Sequence, residues 1–243
     1  MRPIFGRYLQ SFRDFKPTKC DTNKHAFVIL DDRVDYWTPH IYCNFNHFLD
    51  DSWNYYFIGN ERSCQYIDET FSKEVVTIPL SAIYGRDFKL DWDMCNSIWK
   101  TSAFYDVFKE DYILSAQADD TACFSQFQDK WYDYTLIGAP CGDMTRPTFN
   151  TGLAGMDVHL HREVASTTGC SATLQLMQVD KTAEDVFFTE SFREIGGKLP
   201  SLEEAMEFSV ESFYHKHPFG VHGLKHTYMT DEIAAKIVAG VSL

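Results

Sequence analysis

The first half of this chain is punctuated by short apolar runs, each closed by polar or turn-forming residues, and that rhythm constrains the fold more than anything else in the sequence. Ala26–Leu30 reads AFVIL; Tyr55–Ile58 ends at Gly59-Asn60; Glu74–Ile78 is closed by Pro79; Tyr112–Ala116 follows Met94–Phe108, a stretch that reads as a helix. Unbroken apolar runs of this length suit strands buried on both faces of a sheet. Between the first two runs, Ile41, Phe45, Phe48 and Leu49 recur at i, i+4, i+7 and i+8, the spacing of an amphipathic helix. Strand alternating with helix predicts a doubly wound α/β domain, with a mostly parallel central sheet flanked by helices.

The second half is less regular. Thr135–Gly138 reads as a strand running into Ala139-Pro140, and Asn150–Gly155 (NTGLAG) as a glycine-bearing loop or edge strand. Ala183–Ile195 and Leu202–Phe208 read as helices, the latter opened by Ser201 with Glu204 three residues on, a capping box. Asp231–Val241 reads as a short helix. The expected organisation is an N-terminal extension over residues 1–24, one domain over 25–230, and a C-terminal helix or tail over 231–243.

Composition bounds the function. In 243 residues, 44% hydrophobic and 16% aromatic, there is enough apolar surface for one well-buried core. A formal net charge of −13 and the lack of a basic patch argue against a nucleic-acid partner. The same charge means that an anionic ligand needs a metal or a few well-placed cations. Seven cysteines lie far apart with no Cys-x-x-Cys, a pattern of free thiols in a reducing compartment. The opening MRPIFGRYLQSFRDFKP lacks the apolar stretch of a signal peptide, and no run approaches the roughly 20 apolar residues of a membrane span. The expectation is a soluble, cytoplasmic protein with no membrane span.

In doubly wound sheets, ligands bind outside the carboxyl ends of the strands. The residues there are Asp31-Asp32-Arg33, Gly59-Asn60 and Gln117-Ala118-Asp119-Asp120. Asp119 and Asp120 at a strand end can reach a hard cation, Mg²⁺ or Mn²⁺, bridging to diphosphate oxygens; a solvated turn is the competing reading. Glu184-Asp185 at a helix start can supply a general base for an acceptor hydroxyl, or complement the helix dipole. His215, His217, His222 and His226, with Lys216 and Lys225, crowd a stretch carrying Gly220 and Gly223, where imidazoles can complete a metal shell and a lysine can meet phosphate charge. Gly-x-x-x-x-Gly-Lys-Ser/Thr, Gly-x-Gly-x-x-Gly after the first strand and Gly-x-Ser-x-Gly are all missing. Their absence weighs against phosphate-loop, dinucleotide-dependent and serine-hydrolase chemistry.

Taken in order, AFVILDDR, NFNHFL, WNYYFIGN, CNSIWKTSAFY, YILSAQADD, YTLIGAP, NTGLAG, EDVFF, LPSLEEAMEFSVES and HPFGVHG resemble a family of small GT-A-like glycosyltransferase domains of microbes and large DNA viruses, long classed as of unknown function. The resemblance spans roughly residues 25–228. It implies a GT-A type, Rossmann-like fold that transfers a hexosyl or deoxyhexosyl group from a nucleoside diphosphate sugar, UDP-linked by expectation, to a glycan or glycoprotein acceptor with Mn²⁺ or Mg²⁺. By position it implies donor contacts for Arg33, Asp32, Asn96, Gln117, Asp119, Gly152 and Lys225; metal contacts for Asp119, Asp120 and His222; and a catalytic base at Asp185 or, second in order, Glu184. The chain departs from the family in reading Ala-Asp-Asp for Asp-x-Asp, Gly223-Leu224-Lys225-His226 for a tryptophan-containing ending, and Cys141 for a bulky aromatic. The rival readings are a nucleotide-sugar-binding module without turnover and a nucleotidyltransferase. The latter is disfavoured because Leu30-Asp31-Asp32-Arg33 is not a glycine-rich basic loop.

Overall fold

The computed structural model describes residues 2–17, 24–167, 182–224 and 229–240. In chain order the elements are α1 (Pro3–Leu9), β1 (His25–Leu30), α2 (Thr38–Phe48), β2 (Trp53–Gly59), α3 (Glu61–Phe71), β3 (Val76–Pro79), α4 (Leu80–Tyr84), α5 (Trp92–Trp99), α6 (Ser102–Tyr105) and β4 (Tyr112–Ala116). They continue with β5 (Thr121–Cys123), β6 (Leu136–Cys141), β7 (Thr148–Asp157), α7 (Val158–Thr167), α8 (Glu184–Ile195), α9 (Leu202–Phe208), β8 (Ser209–Val210), β9 (Gly220–His222) and α10 (Asp231–Ala239). The main sheet has the order β3-β2-β1-β4-β7-β6, and a small sheet has the order β5-β9-β8. Strands β1 to β4 are mutually parallel, and only β7 runs against its neighbours, so the α/β architecture with a mostly parallel sheet is the one observed.

The apolar run of β1 explains the layering. Successive strand side chains point to opposite faces. Phe27 and Ile29 join one core with α1, α2, α3 and α10, while Ala26, Val28 and Leu30 join a second core with α4, α5, α6, α7 and α8. Each face therefore needs its own apolar partner, and β1 has no polar face to show to water.

Three elements differ from the sequence reading. The stretch read as one helix over Met94–Phe108 is broken into α5 and α6. Thr101 stands between them in an extended conformation, and both its backbone N–H and its Oγ1 donate to the carbonyl of Ile98, the acceptor a continuing helix would use. The Tyr105 hydroxyl donates to the carbonyl of Trp99, fixing the break from the other side. Asn150–Gly155 is neither a loop nor an edge strand: it is the middle of β7, paired with β4 on one side and β6 on the other. Its glycines are what permit this, because a Cβ on Gly155 would run into the Tyr112 hydroxyl. Residues 1–24, read as an extension, carry α1, whose Phe5, Tyr8 and Leu9 are buried, with Tyr8 stacked on Phe124 at 4.7 Å. Among the described residues no helix is long and apolar enough to cross a membrane, and Cys43, Cys64, Cys95, Cys123 and Cys141 are free thiols.

Candidate active site

The strand order reverses direction between β1 and β4: β2 and β3 lie on one side of β1, and β4 continues on the other. Loops leaving the carboxyl ends of two such strands diverge and leave a crevice. A cavity of about 350 Å³ occupies that position. Its floor comes from the ends of β1 (Leu30, Asp31) and β4 (Ala116, with Gln117 beyond it) and from the middle of β7 (Thr151, Gly152). One wall is α5 (Trp92, Cys95, Asn96, Trp99), and Glu184 stands on the first turn of α8. The wall residues fall at i, i+3, i+4 and i+7, one face of a helix.

Arg33 is the cation at the rim. Its Nε and Nη2 donate to the two carboxylate oxygens of Asp31, both at 3.0 Å, and its backbone N–H donates to Asp31 Oδ1 at 2.9 Å; Nη1 lies outside that pairing. The Asp31 side chain is 5% exposed and the Arg33 side chain 64%. Burial pushes the Asp31 carboxyl up, Arg33 opposes that rise, and Asp31 in turn raises the Arg33 guanidinium. Removing the guanidinium leaves a buried carboxylate without its charge partner. Arg33→Ala should therefore lower stability by about 1–2 kcal/mol at pH 7, a modest figure because the Arg33 side chain is largely exposed. A carboxyl raised by folding is destabilising when ionised, so the deficit should shrink as pH falls towards the ordinary aspartate value of 3.8. Thermal melts of both proteins across pH check this.

Glu184 is held by two partners, Asn96 and Thr151. Its backbone N–H, an unpaired donor of the first helical turn, donates to Asn96 Oδ1 at 2.9 Å, while Asn96 Nδ2 donates to the carbonyl of Trp92 at 2.7 Å. Thr151 Oγ1 donates to Glu184 Oε1 at 2.5 Å. Burial pushes the Glu184 carboxyl above its usual range, with the Thr151 hydroxyl opposing and neighbouring Asp185 adding to the rise. Asp185 is also raised by burial, but it faces elsewhere: its Oδ2 lies 3.9 Å from Cys141 Sγ, and its Oδ1 accepts from the N–H of Val186. The Cys95 thiol, on the wall between Asp31 and Glu184, is pushed up to about 12 by burial and by those two carboxylates, so it is no nucleophile near neutrality.

Of the residues singled out from the sequence, Arg33, Asn96, Gln117, Gly152 and Glu184 meet in this one cavity. Asp119 lies at its edge, with Oδ1 3.9 Å from Arg33 Nη2. Asp32 does not line it; its Oδ2 accepts from the N–H of Leu90 and its carbonyl from Ser63 Oγ, which anchors the loop before α5 to the end of β1. Asp120 is buried, and its carbonyl accepts from the N–H groups of Gly223 and Leu224, which ties it to the end of β9. His222 pairs with Thr121 across that small sheet. Its buried ring lies against Gly152, and Glu211 Oε1 is 3.9 Å from its Nδ1. His215 and His217 sit in the segment between β8 and β9, away from the cavity lining. Lys225 and His226 lie outside the described residues. Leu90, Trp92, Cys95, Trp99 and Thr151 line the cavity but were not picked out from the sequence. The spacing Trp92, Cys95, Asn96, Trp99 was a visible helical face; Glu211 reaches His222 only because β8 pairs with β9, for which the sequence carries no signal.

Gly152 is the hinge between cavity and histidine. A Cβ there would run into Nε2, Cδ2 and Cε1 of His222, inside a strand that cannot yield. Gly152→Ala should cost about 1–3 kcal/mol through overpacking, lowering Tm by about 2–10 °C, which a thermal melt checks.

Among the described residues, no three His, Cys, Asp or Glu side chains converge as they would around a bound ion. By type alone Asp119, Asp120 and His222 are donors that a divalent cation takes, but the structure does not bring their side chains together in one shell. Asp119 and Asp120 offer carboxylate oxygens, and the His222 ring is kept close to the cavity floor by a glycine that makes room for it. Carboxylates with one imidazole suit Mn²⁺, and carboxylates alone suit Mg²⁺.

No curated protein matches the chain. Among the solved structures that resemble it are two of the glycosyltransferase GlyE of Streptococcus pneumoniae TIGR4. The apo form has a TM-score of 0.49 at 11% identity, covering 84% of this chain and 55% of that one. The other has a TM-score of 0.45 at 13% identity, covering 75% and 46%. The chain thus spans about half the length of these structures. A family model described as "Protein of unknown function (DUF5672)" matches residues 88–222, from just before α5 through His222. Since that match covers more than half of the 243 residues and takes in α5, Asp119, Asp120, Gly152 and Glu184, the protein belongs to this family of unknown function.

Proposed function

We propose that the protein is a glycosyltransferase, using Mn²⁺ or Mg²⁺ to move a hexosyl or deoxyhexosyl group from a nucleoside diphosphate sugar, UDP-linked by first preference, to a hydroxyl of a glycan or glycoprotein. The observation that carries this reading is the cavity at the reversal point of the sheet, with a guanidinium at its rim and a partly buried carboxylic acid, Glu184, on its wall. That is the position at which open α/β sheets bind nucleotides. A carboxyl raised by burial is suited to take a proton near neutral pH.

The charge balance supports a metal. Among the described residues, Asp31, Asp91 and Glu184 line the cavity with Arg33 as the cationic lining residue, so a diphosphate entering there meets a net negative lining. Asp119, Asp120 and His222 are the residues that would hold a divalent ion, which when bound would offset the charge of the departing diphosphate. Arg33, itself anchored on Asp31, would add positive charge at the same side.

The chain's own chemistry is proton removal. Glu184 or Asp185 accepts the proton of the acceptor hydroxyl; the acceptor oxygen forms the new bond to the anomeric carbon; the bond from that carbon to the diphosphate oxygen breaks, and its electron pair leaves with the nucleoside diphosphate. Direct displacement of this kind inverts the anomeric centre. Glu184 takes first place here because it lines the cavity, whereas Asp185 faces Cys141. Titration calorimetry with UDP, GDP and TDP, each with and without MnCl₂, tests the binding half of the proposal. Saturable binding of at least one of them, strengthened by Mn²⁺, is the expected result; no heat from any of the three would remove the nucleotide from the account.

A further inference from the structure

We propose that Trp92 is the platform on which the nucleobase of the donor stacks. This deepens the glycosyltransferase reading and rests on it. Trp92 is 66% exposed, the most exposed of the large hydrophobic side chains among the described residues, whereas Trp53, Trp99 and Trp131 are at most 8% exposed. A large indole left in water at the mouth of a cavity is an unused apolar face. Of the large exposed hydrophobic side chains, which also include Tyr36, Tyr66, Phe213 and Tyr214, Trp92 is the one that lines this cavity.

Its setting favours a flat ring over a sugar. Besides Trp92 itself, Leu30, Leu90, Trp99 and Ala116 are apolar members of the lining, with Leu90 just before α5 and Trp99 on the same face of that helix. The carbonyl of Trp92 is bonded by Asn96, whose Oδ1 holds the first turn of α8, so the indole stands one helical turn, about 5.4 Å of rise, from the residue that anchors Glu184. Trp92, Arg33 and Glu184 line the same cavity, so a base stacked on the indole leaves the guanidinium and the carboxyl for the diphosphate and the reacting carbon. Aromatic faces accept every base, because stacking needs only a π-surface.

The test compares UDP with inorganic pyrophosphate, both in MnCl₂, on the wild type, Trp92→Ala and Trp92→Phe. An exposed side chain at a helix start is not needed for folding, and a melt verifies that. The Ala variant should bind UDP roughly 5- to 150-fold more weakly, the loss of one base stack, with pyrophosphate unchanged and the Phe variant recovering most of the affinity. Quenching of tryptophan fluorescence on adding UDP should be lost in both variants. Unchanged UDP affinity in the Ala variant overturns the platform while leaving nucleotide binding intact, and so does an equal loss for UDP and pyrophosphate. Failure of the wild type to bind UDP, GDP or TDP overturns the platform and the glycosyltransferase reading together.

Discussion

Replacing Glu184 by glutamine should lower the rate of sugar transfer by about 10²–10⁴-fold, the usual contribution of a positioned general base, while the donor still binds with nearly unchanged affinity. The reasoning is geometric. Glutamine keeps the length of the side chain and can still accept from Thr151 Oγ1, and its backbone N–H still donates to Asn96. What it loses is the ability to take a proton. The pH profile carries the sharper signature. A base must be ionised to act, and burial places the Glu184 carboxyl above the ordinary glutamate value of 4.5. Transfer by the wild type should therefore fall off on the acid side at a pH above 4.5, and whatever activity remains in the variant should lack that limb. Asp185→Asn is the comparison. Its carboxylate sits against Cys141 rather than on the cavity wall, so its loss should be the milder of the two. A larger loss from Asp185→Asn, with the acid limb abolished, would transfer the role of base to that residue.

Changing Asp119 and Asp120 together to alanine should reduce turnover by about 10³-fold or more, corresponding to several kcal/mol of charge stabilisation on the leaving diphosphate. Excess chelator applied to the wild type should give the same loss. The two carboxylates should not be equivalent. Asp119 is the more accessible, at 15% side-chain exposure, and lies near Arg33; Asp120 is buried, and its carbonyl also holds the end of β9, which carries His222. Asp119→Ala alone should thus weaken Mn²⁺-dependent UDP binding with little change in Tm, whereas Asp120→Ala should lower both. Full turnover of the double variant in the presence of chelator would take the cation out of the account.

The fold was largely legible because its signals are local. AFVIL with no polar residue admits only a strand covered on both faces, and the split of Phe27 and Ile29 from Ala26, Val28 and Leu30 into two cores is that statement made physical. The capping box at Ser201 is formed as the sequence predicts, with Ser201 Oγ accepting from the Glu204 N–H and the Glu204 carboxylate accepting from the N–H of Ser201. What the sequence hid was non-local. The break after α5 depends on Thr101 and on the distant hydroxyls of Tyr84 and Tyr105, and no window of fifteen residues contains that arrangement. NTGLAG looks like a loop because glycines usually mark loops; it is an internal strand because the Tyr112 hydroxyl and the His222 ring press against those glycines from elsewhere in the chain.

The site shows the same division. Residues directly after strands, such as Arg33 and Gln117, could be found by position alone, since the carboxyl edge of the sheet is where ligands bind. Asn96 was singled out as a donor contact, but both ends of its amide are engaged within the protein, with Trp92 and with Glu184. That arrangement makes it a support for the α8 first turn as well as part of the cavity wall. Trp92 lay on a visible helical face with Asn96, but nothing in that spacing marked it as part of a site, and Thr151 gave no signal at all until the strands and α5 are brought together around one cavity.

The most direct measurement is release of nucleoside diphosphate from a panel of UDP-, GDP- and TDP-sugars in MnCl₂, run side by side on the wild type and Glu184→Gln. The account predicts that the wild type cleaves at least one donor, that chelator stops it, and that the variant binds the same donor yet turns it over at least a hundred times more slowly. Turnover by the variant equal to that of the wild type, or no turnover of any donor by a wild type that binds nucleotide, would contradict it.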